Sequence, residues 1–123
     1  MKASNTMDKQ EIFNQHISNR YPGIDKIIAD DNFNEQDLRN YINFQDNESH
    51  TLKGYQNWVD FKGIADKIKR VGINGVLMRS DVMGTSKAVE DLGRGEIAKY
   101  IVVKTKYGEI WVNNDGRTIA YMR

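Results

Sequence analysis

The chain has 123 residues, one proline, no cysteine and a formal net charge of +1. That length suits one compact domain, which buries roughly two-thirds of its unfolded surface and needs no disulfide or metal to fold. The missing cysteine excludes a thiol nucleophile, a thiolate metal centre and a disulfide framework.

The first half has helical spacing. Ser4 or Thr6 is placed to cap a first helix that carries Ile12, Phe13, His16 and Ile17 on one face. Pro22-Gly23 ends it, and a short segment with Ile24, Ile27 and Ile28 follows, up to Asp30-Asp31-Asn32. Asn34 is the next expected N-cap, with Glu35 and Asp37 in the first turn, where carboxylates suit the helix dipole. Leu38, Tyr41 and Ile42 form the apolar face of that helix. Asp46-Asn47-Glu48-Ser49 is a loop. Leu52, Tyr55, Trp58, Val59, Phe61, Ile64, Ala65, Ile68 and Val71 then recur close to every 3.6 residues. This predicts one long helix with weak points at Gly54 and Gly63, a bend at Gly63 and a C-cap at Gly72.

The second half has strand patterning. Gly75–Arg79 is a short strand candidate. Thr85 or Ser86 is expected to cap a brief helix carrying Ala88, Val89 and Leu92, closed by the loop Gly93-Arg94-Gly95. Three alternating runs follow, Ala98–Lys106, Glu109–Asn113 and Arg117–Met122, separated by Tyr107-Gly108 and by Asn113–Gly116. Asp115-Gly116 between alternating apolar runs is a strong hairpin signal. With two-residue loops, Ile101, Val103, Ile110, Val112, Ile119 and Tyr121 share the core face. Tyr100, Val102, Lys104, Lys106, Glu109, Trp111, Thr118 and Met122 share the other, with Lys104 opposite Trp111 and Lys106 opposite Glu109. A one-residue bulge would exchange the faces beyond it. The expected fold is therefore α+β: one domain over residues 1–123, helical over 1–72 and strand-rich over 73–123. Its N-terminal helices pack on one face of an antiparallel meander of three to four strands.

The small net charge conceals a division. Residues 1–60 carry six Lys or Arg against ten Asp or Glu, a net of −4, and residues 61–123 carry twelve against seven, a net of +5. A basic strand half suits an anionic partner, whether RNA, DNA or an acidic protein surface. Lys104, Lys106, Trp111 and Tyr100 on one sheet face combine cations for phosphates with rings that stack on unpaired bases. The plainer alternative is a solvated sheet face whose lysines blunt aggregation. Thr85, Ser86 and Lys87 after Gly84 offer hydroxyls, backbone N–H groups and a charge to an anion. The glycines around Arg94 leave it accessible, and Arg117 adds a further cation. The plainer alternative there is an ordinary N-cap and glycine C-cap.

Catalytic motifs are sparse. His16 lies on an apolar helix face, and His50 approaches the long helix, where capping or exposure is expected. Two isolated histidines without ligand spacing argue against a metal site, and no cofactor is expected. No P-loop or nucleophile-elbow pattern occurs. A metal-independent ribonuclease of toxin-effector type needs only a base, an acid and a cation, available from Glu96, Glu109, Lys104, Arg94, Arg117 or Tyr121. A third reading places a basic protein partner on the acidic helices, making the chain an inhibitor or regulator. No apolar run approaches the ~20 residues of a membrane span, and Met1–Asp8 lacks the apolar stretch of a cleaved signal. A cytoplasmic protein is expected, although a secreted effector without a cleaved signal has the same composition.

Overall fold

A computed structural model describes residues 19–123. The expected first helix, with Ser4, Thr6 and His16, lies outside the described residues. Among the described residues, α1 (Ile24–Ala29), α2 (Glu35–Asp46) and α3 (Tyr55–Val71) precede a short 3-10 turn (Ile73–Gly75). A sheet of β1 (Val82–Gly93), β2 (Glu96–Thr105), β3 (Gly108–Asn113) and β4 (Ile119–Met122) follows. The strands pair antiparallel in chain order. The architecture is the expected α+β arrangement, with the meander enlarged to four strands.

The helical boundaries follow the local chemistry. Asn34 caps α2, its side-chain oxygen accepting the Asp37 N–H at 2.8 Å. Gly54 serves as the N-cap of α3 and donates its N–H to Gln45 Oε1 at 2.7 Å. Gly72, at φ 87°, is the C-cap. Helix α3 runs unbroken through Gly63, whose missing side chain leaves open space rather than a packing gap.

The core lies between α2, α3 and the inner sheet face. Tyr41, Phe44, Trp58 and Phe61 stack edgewise and tilted at centroid distances of 5.5–6.2 Å, and Phe61 reaches Tyr107 at 6.4 Å. Ile64, Ile68, Val76, Val103, Ile110 and Val112 complete it. Burying each such side chain contributes roughly 1.5–3 kcal/mol.

A polar knot fixes the sheet to the helices. Arg79 grips Asp81 with two parallel bonds of 2.9 and 3.0 Å, and the Tyr107 hydroxyl donates to the same carboxylate at 2.9 Å. Asp60 of α3 lies 3.5 Å from that hydroxyl. The Arg79 fork holds the Asp81 carboxyl down to about 2, and burial pushes the Tyr107 hydroxyl up to about 12.

Four expectations are corrected. Residues 76–79 turn rather than form a strand. The segment with Thr85 and Ser86 is strand β1, not a capped helix: it pairs along its length with β2 through the loop Arg94-Gly95. Both loop residues have positive φ, 55° and 78°, the backbone of a type I′ hairpin. A helix of two turns is marginal alone, and the ladder with β2 outweighs it. The β2–β3 loop is Lys106-Tyr107, so Lys104 stands opposite Glu109 and Val102 opposite Trp111. That two-residue slip preserves the faces. In β4, Ala120 is an extra residue between Trp111↔Tyr121 and Val112↔Ile119. This bulge sends Tyr121 to the outer face and Met122 to the core.

Candidate functional site on the outer sheet face

The register lays the outer face out in rows across the strands. One row runs Lys104–Glu109–Arg123, since Glu109 and Arg123 exchange backbone bonds of 2.8 Å in both directions. The next runs Ser86–Val102–Trp111–Tyr121, and a third Ala88–Tyr100–Asn113. Three aromatic rings therefore meet. Tyr100 lies 5.5 Å from Trp111 and 5.8 Å from Tyr121, and Trp111 lies 6.2 Å from Tyr121. The Arg123 guanidinium sits 4.3 Å from the Trp111 centroid and 5.2 Å from that of Tyr121. The Trp111 indole N–H donates to Glu109 Oε1 at 3.0 Å. Tyr100 is only 7 % exposed and Tyr121 is 38 % exposed, so Tyr121 is the ring most open to a ligand of these two. Hydrogen bonding with Tyr121 raises the Tyr100 hydroxyl above its ordinary value, with burial adding to it.

The expected site residues divide. Tyr100, Trp111, Lys104 and Ser86 share the outer face, with Lys106 at its edge in the β2–β3 loop. Thr85 and Lys87 lie on the opposite side of β1, Arg94 is at the hairpin tip, and Arg117 is in the β3–β4 turn. The anion seat expected at Thr85, Ser86 and Lys87 does not form, because alternation along a strand separates Ser86 from its neighbours. Arg123 is the residue that sequence reasoning missed, and Tyr121, expected on the core face, joins the outer one. The signal for Arg123 was its place at the end of an alternating run.

Among the described residues, no Lys or Arg from β1 onward lies within 4.0 Å of a carboxylate oxygen, whereas Arg20, Arg39, Lys62, Lys69 and Arg79 are all paired. Lys104 faces Glu109 across the ladder without closing an ion pair, and the Trp111 indole N–H bonds that carboxylate instead. The acidic helices behave differently. Asp37 and Asp66 flank Lys62 at 3.5 and 2.9 Å, Glu35 meets Arg39, and Asp46 meets Arg20 and Tyr21. Asp25, Asp30, Asp31 and Glu48 have no cation within 4.0 Å among the described residues.

His50 is buried, not exposed as expected: its ring lies 4.8 Å from Phe44 and against the backbone of Gly108. Burial lowers its pKa, so it is neutral at pH 7. A cleft of about 630 Å³ beside it is lined by Asn47, Ser49, His50, Gly108, Glu109 and Arg123. Among the described residues, no group of three or more His, Asp or Glu is placed to hold a metal ion, and no helix is long and apolar enough to cross a membrane. Compared with protein families, curated proteins and solved structures, the chain matches none.

Proposed function

We propose that the chain is a binding module whose outer sheet face holds a single-stranded nucleic acid. The observation that carries this reading is the row of Lys104 and Arg123 beside Trp111 and Tyr121, with Lys106 in the adjoining loop, its ammonium 5.8 Å from the Tyr107 centroid, and none of the three paired with a carboxylate among the described residues. Cations hold phosphates without regard to sequence, and an open ring stacks on a base at about 1–3 kcal/mol. Fluorescence anisotropy with labelled single-stranded RNA and DNA across a salt series tests it. Three phosphate contacts give a log–log salt slope of about −2, and replacing Lys104 and Lys106 together by Ala brings it to about −0.7. Binding that is absent, or unaffected by salt and by both substitutions, sinks the proposal. Equal competition by polyglutamate assigns the face to an acidic protein surface instead.

One observation favours a second reading, metal-independent RNA cleavage. The cleft beside the aromatic face is lined by a histidine, a carboxylate and a guanidinium, the acid, base and cation that attack by a 2′-hydroxyl requires. RNA cleavage that resists EDTA and is lost in both His50→Gln and Glu109→Gln supports it. Intact RNA at high protein concentration excludes it.

A further inference from the structure

We infer that the free edge of β1 pairs with the same edge of a second copy of this chain, in an antiparallel register centred on Val89. Strand β1 is the outer strand of the sheet, and its substantial tertiary contacts are with β2 alone. Among the described residues, one side therefore presents a row of unpaired backbone N–H and C=O groups. The β1–β2 hairpin also extends past the last β2–β3 pair, Tyr100↔Asn113. On the helix-facing side of that extension, Val89, Asp91, Ile97 and Lys99 are all exposed, Val89 at 66 % and Ile97 at 61 %, as is Lys87 just before it. An edge with two bare apolar side chains beside unpaired backbone is a template for strand addition.

The charge pattern selects the partner and the register. A two-fold axis normal to the sheet keeps each face on its own side, so every residue meets one of the same parity. Centring on Lys87 sets lysine against lysine, and centring on Glu90 sets glutamate against glutamate. Centring on Ala88 sets Lys87 against Val89 and Thr85 against Asp91. Centring on Val89 sets valine against valine and places Lys87 opposite Asp91 of the second copy, twice by symmetry. Of these registers only this one pairs opposite charges. It also brings both copies of Val89 together beside the two Ile97 side chains, on the face where they are bare. The result is one eight-stranded sheet with the two outer binding faces on the same side.

Sedimentation velocity over a concentration series on the full chain tests this, with the charge-swapped strand as the control for folding. The wild type should sediment as a reversible dimer. Lys87→Asp alone sets two aspartates in opposition at both ends and weakens the dimer about tenfold, as does Asp91→Lys. The double variant K87D/D91K restores both pairs and returns the affinity to within about threefold, which a merely misfolded strand would not do. A monomer at every concentration overturns the inference. So does a dimer indifferent to the single substitutions, and so does a monomer whose β1 edge amides resist hydrogen exchange, which assigns the edge to another segment of the chain. None of these substitutions touches Lys104, Lys106 or Arg123, so failure here leaves the nucleic-acid reading standing.

Discussion

Arg123 lays its guanidinium 4.3 Å from the centre of the Trp111 indole, across the last two strands of the sheet. The contact depends on the Ala120 bulge that turns Tyr121 outward beside them. It is worth about 0.5–1 kcal/mol at a partly exposed site. Arg123→Ala should leave the fold intact, lower stability by no more than about 1 kcal/mol and shift tryptophan emission to the red. The shift reports Trp111, because Trp58 is buried in the core. Unchanged emission would mean that the arginine does not cover the indole in solution.

Asp81, Asp115 and His50 shape the acid limb of stability. The Asp81 carboxyl is depressed from 3.8 to about 2 in the folded chain, first by Arg79 and then by Tyr107. A depressed acid contributes stability above its unfolded pKa and loses it as pH falls through the folded one, here between about pH 4 and 2 and worth roughly 2 kcal/mol. His50 is a base with its pKa lowered from 6.5 by burial, so the unfolded chain protonates first and stability already falls as pH drops below about 6.5. Urea denaturation from pH 7 to 2 should therefore show two losses. His50→Gln removes the upper one. Asp81→Asn costs about 2–3 kcal/mol at pH 7 by removing the partner of Arg79 and Tyr107, and shrinks the lower loss to the part that Asp115 contributes, whose carboxyl Thr118 also holds down to about 2.

Arg94 is the one non-glycine residue with positive φ among the described residues. A residue with a Cβ is disfavoured in that conformation unless its side chain bonds locally, as asparagine's does, and a type I′ turn prefers asparagine before glycine. Arg94→Asn should stabilise the protein by about 0.5–1 kcal/mol, read as a higher urea midpoint at constant m-value. A lower midpoint would show that Arg94 makes contacts that outweigh its strain.

Gly23 marks the close approach of α1 to α3. A Cβ there would lie 2.2 Å from the Tyr55 ring, on a backbone already at φ 84°. Gly23→Ala should cost about 2–3 kcal/mol, measured by thermal or urea unfolding. Asn34→Ala, which only removes the α2 cap, should cost about 1 kcal/mol. If Gly23→Ala proves the milder of the two, α1 does not pack on Tyr55 in solution.

Local features were legible in the sequence because they are set by neighbours along the chain. The 3.6-residue spacing up to Val71 and the closing Gly72 mark α3, although it starts after Gly54 rather than running through it, and Asn34 announces the start of α2. Alternation placed Ile101, Val103, Ile110 and Val112 on the core face, and a two-residue error in register did not move them, because the side-chain period is two. The asymmetry of charge between the halves was likewise plain.

What only the tertiary structure decided depends on partners distant in the chain. Thr85 and Ser86 suit a helix cap as well as a strand, and the ladder with β2 chose the strand. A single extra residue at Ala120 exchanged the faces of Tyr121 and Met122 and so completed the aromatic cluster. His50 has the neighbours of a loop residue, yet packing on Phe44 and Gly108 buries it and lowers its pKa. Turn, bulge and burial each act through long-range geometry, which residue spacing does not encode.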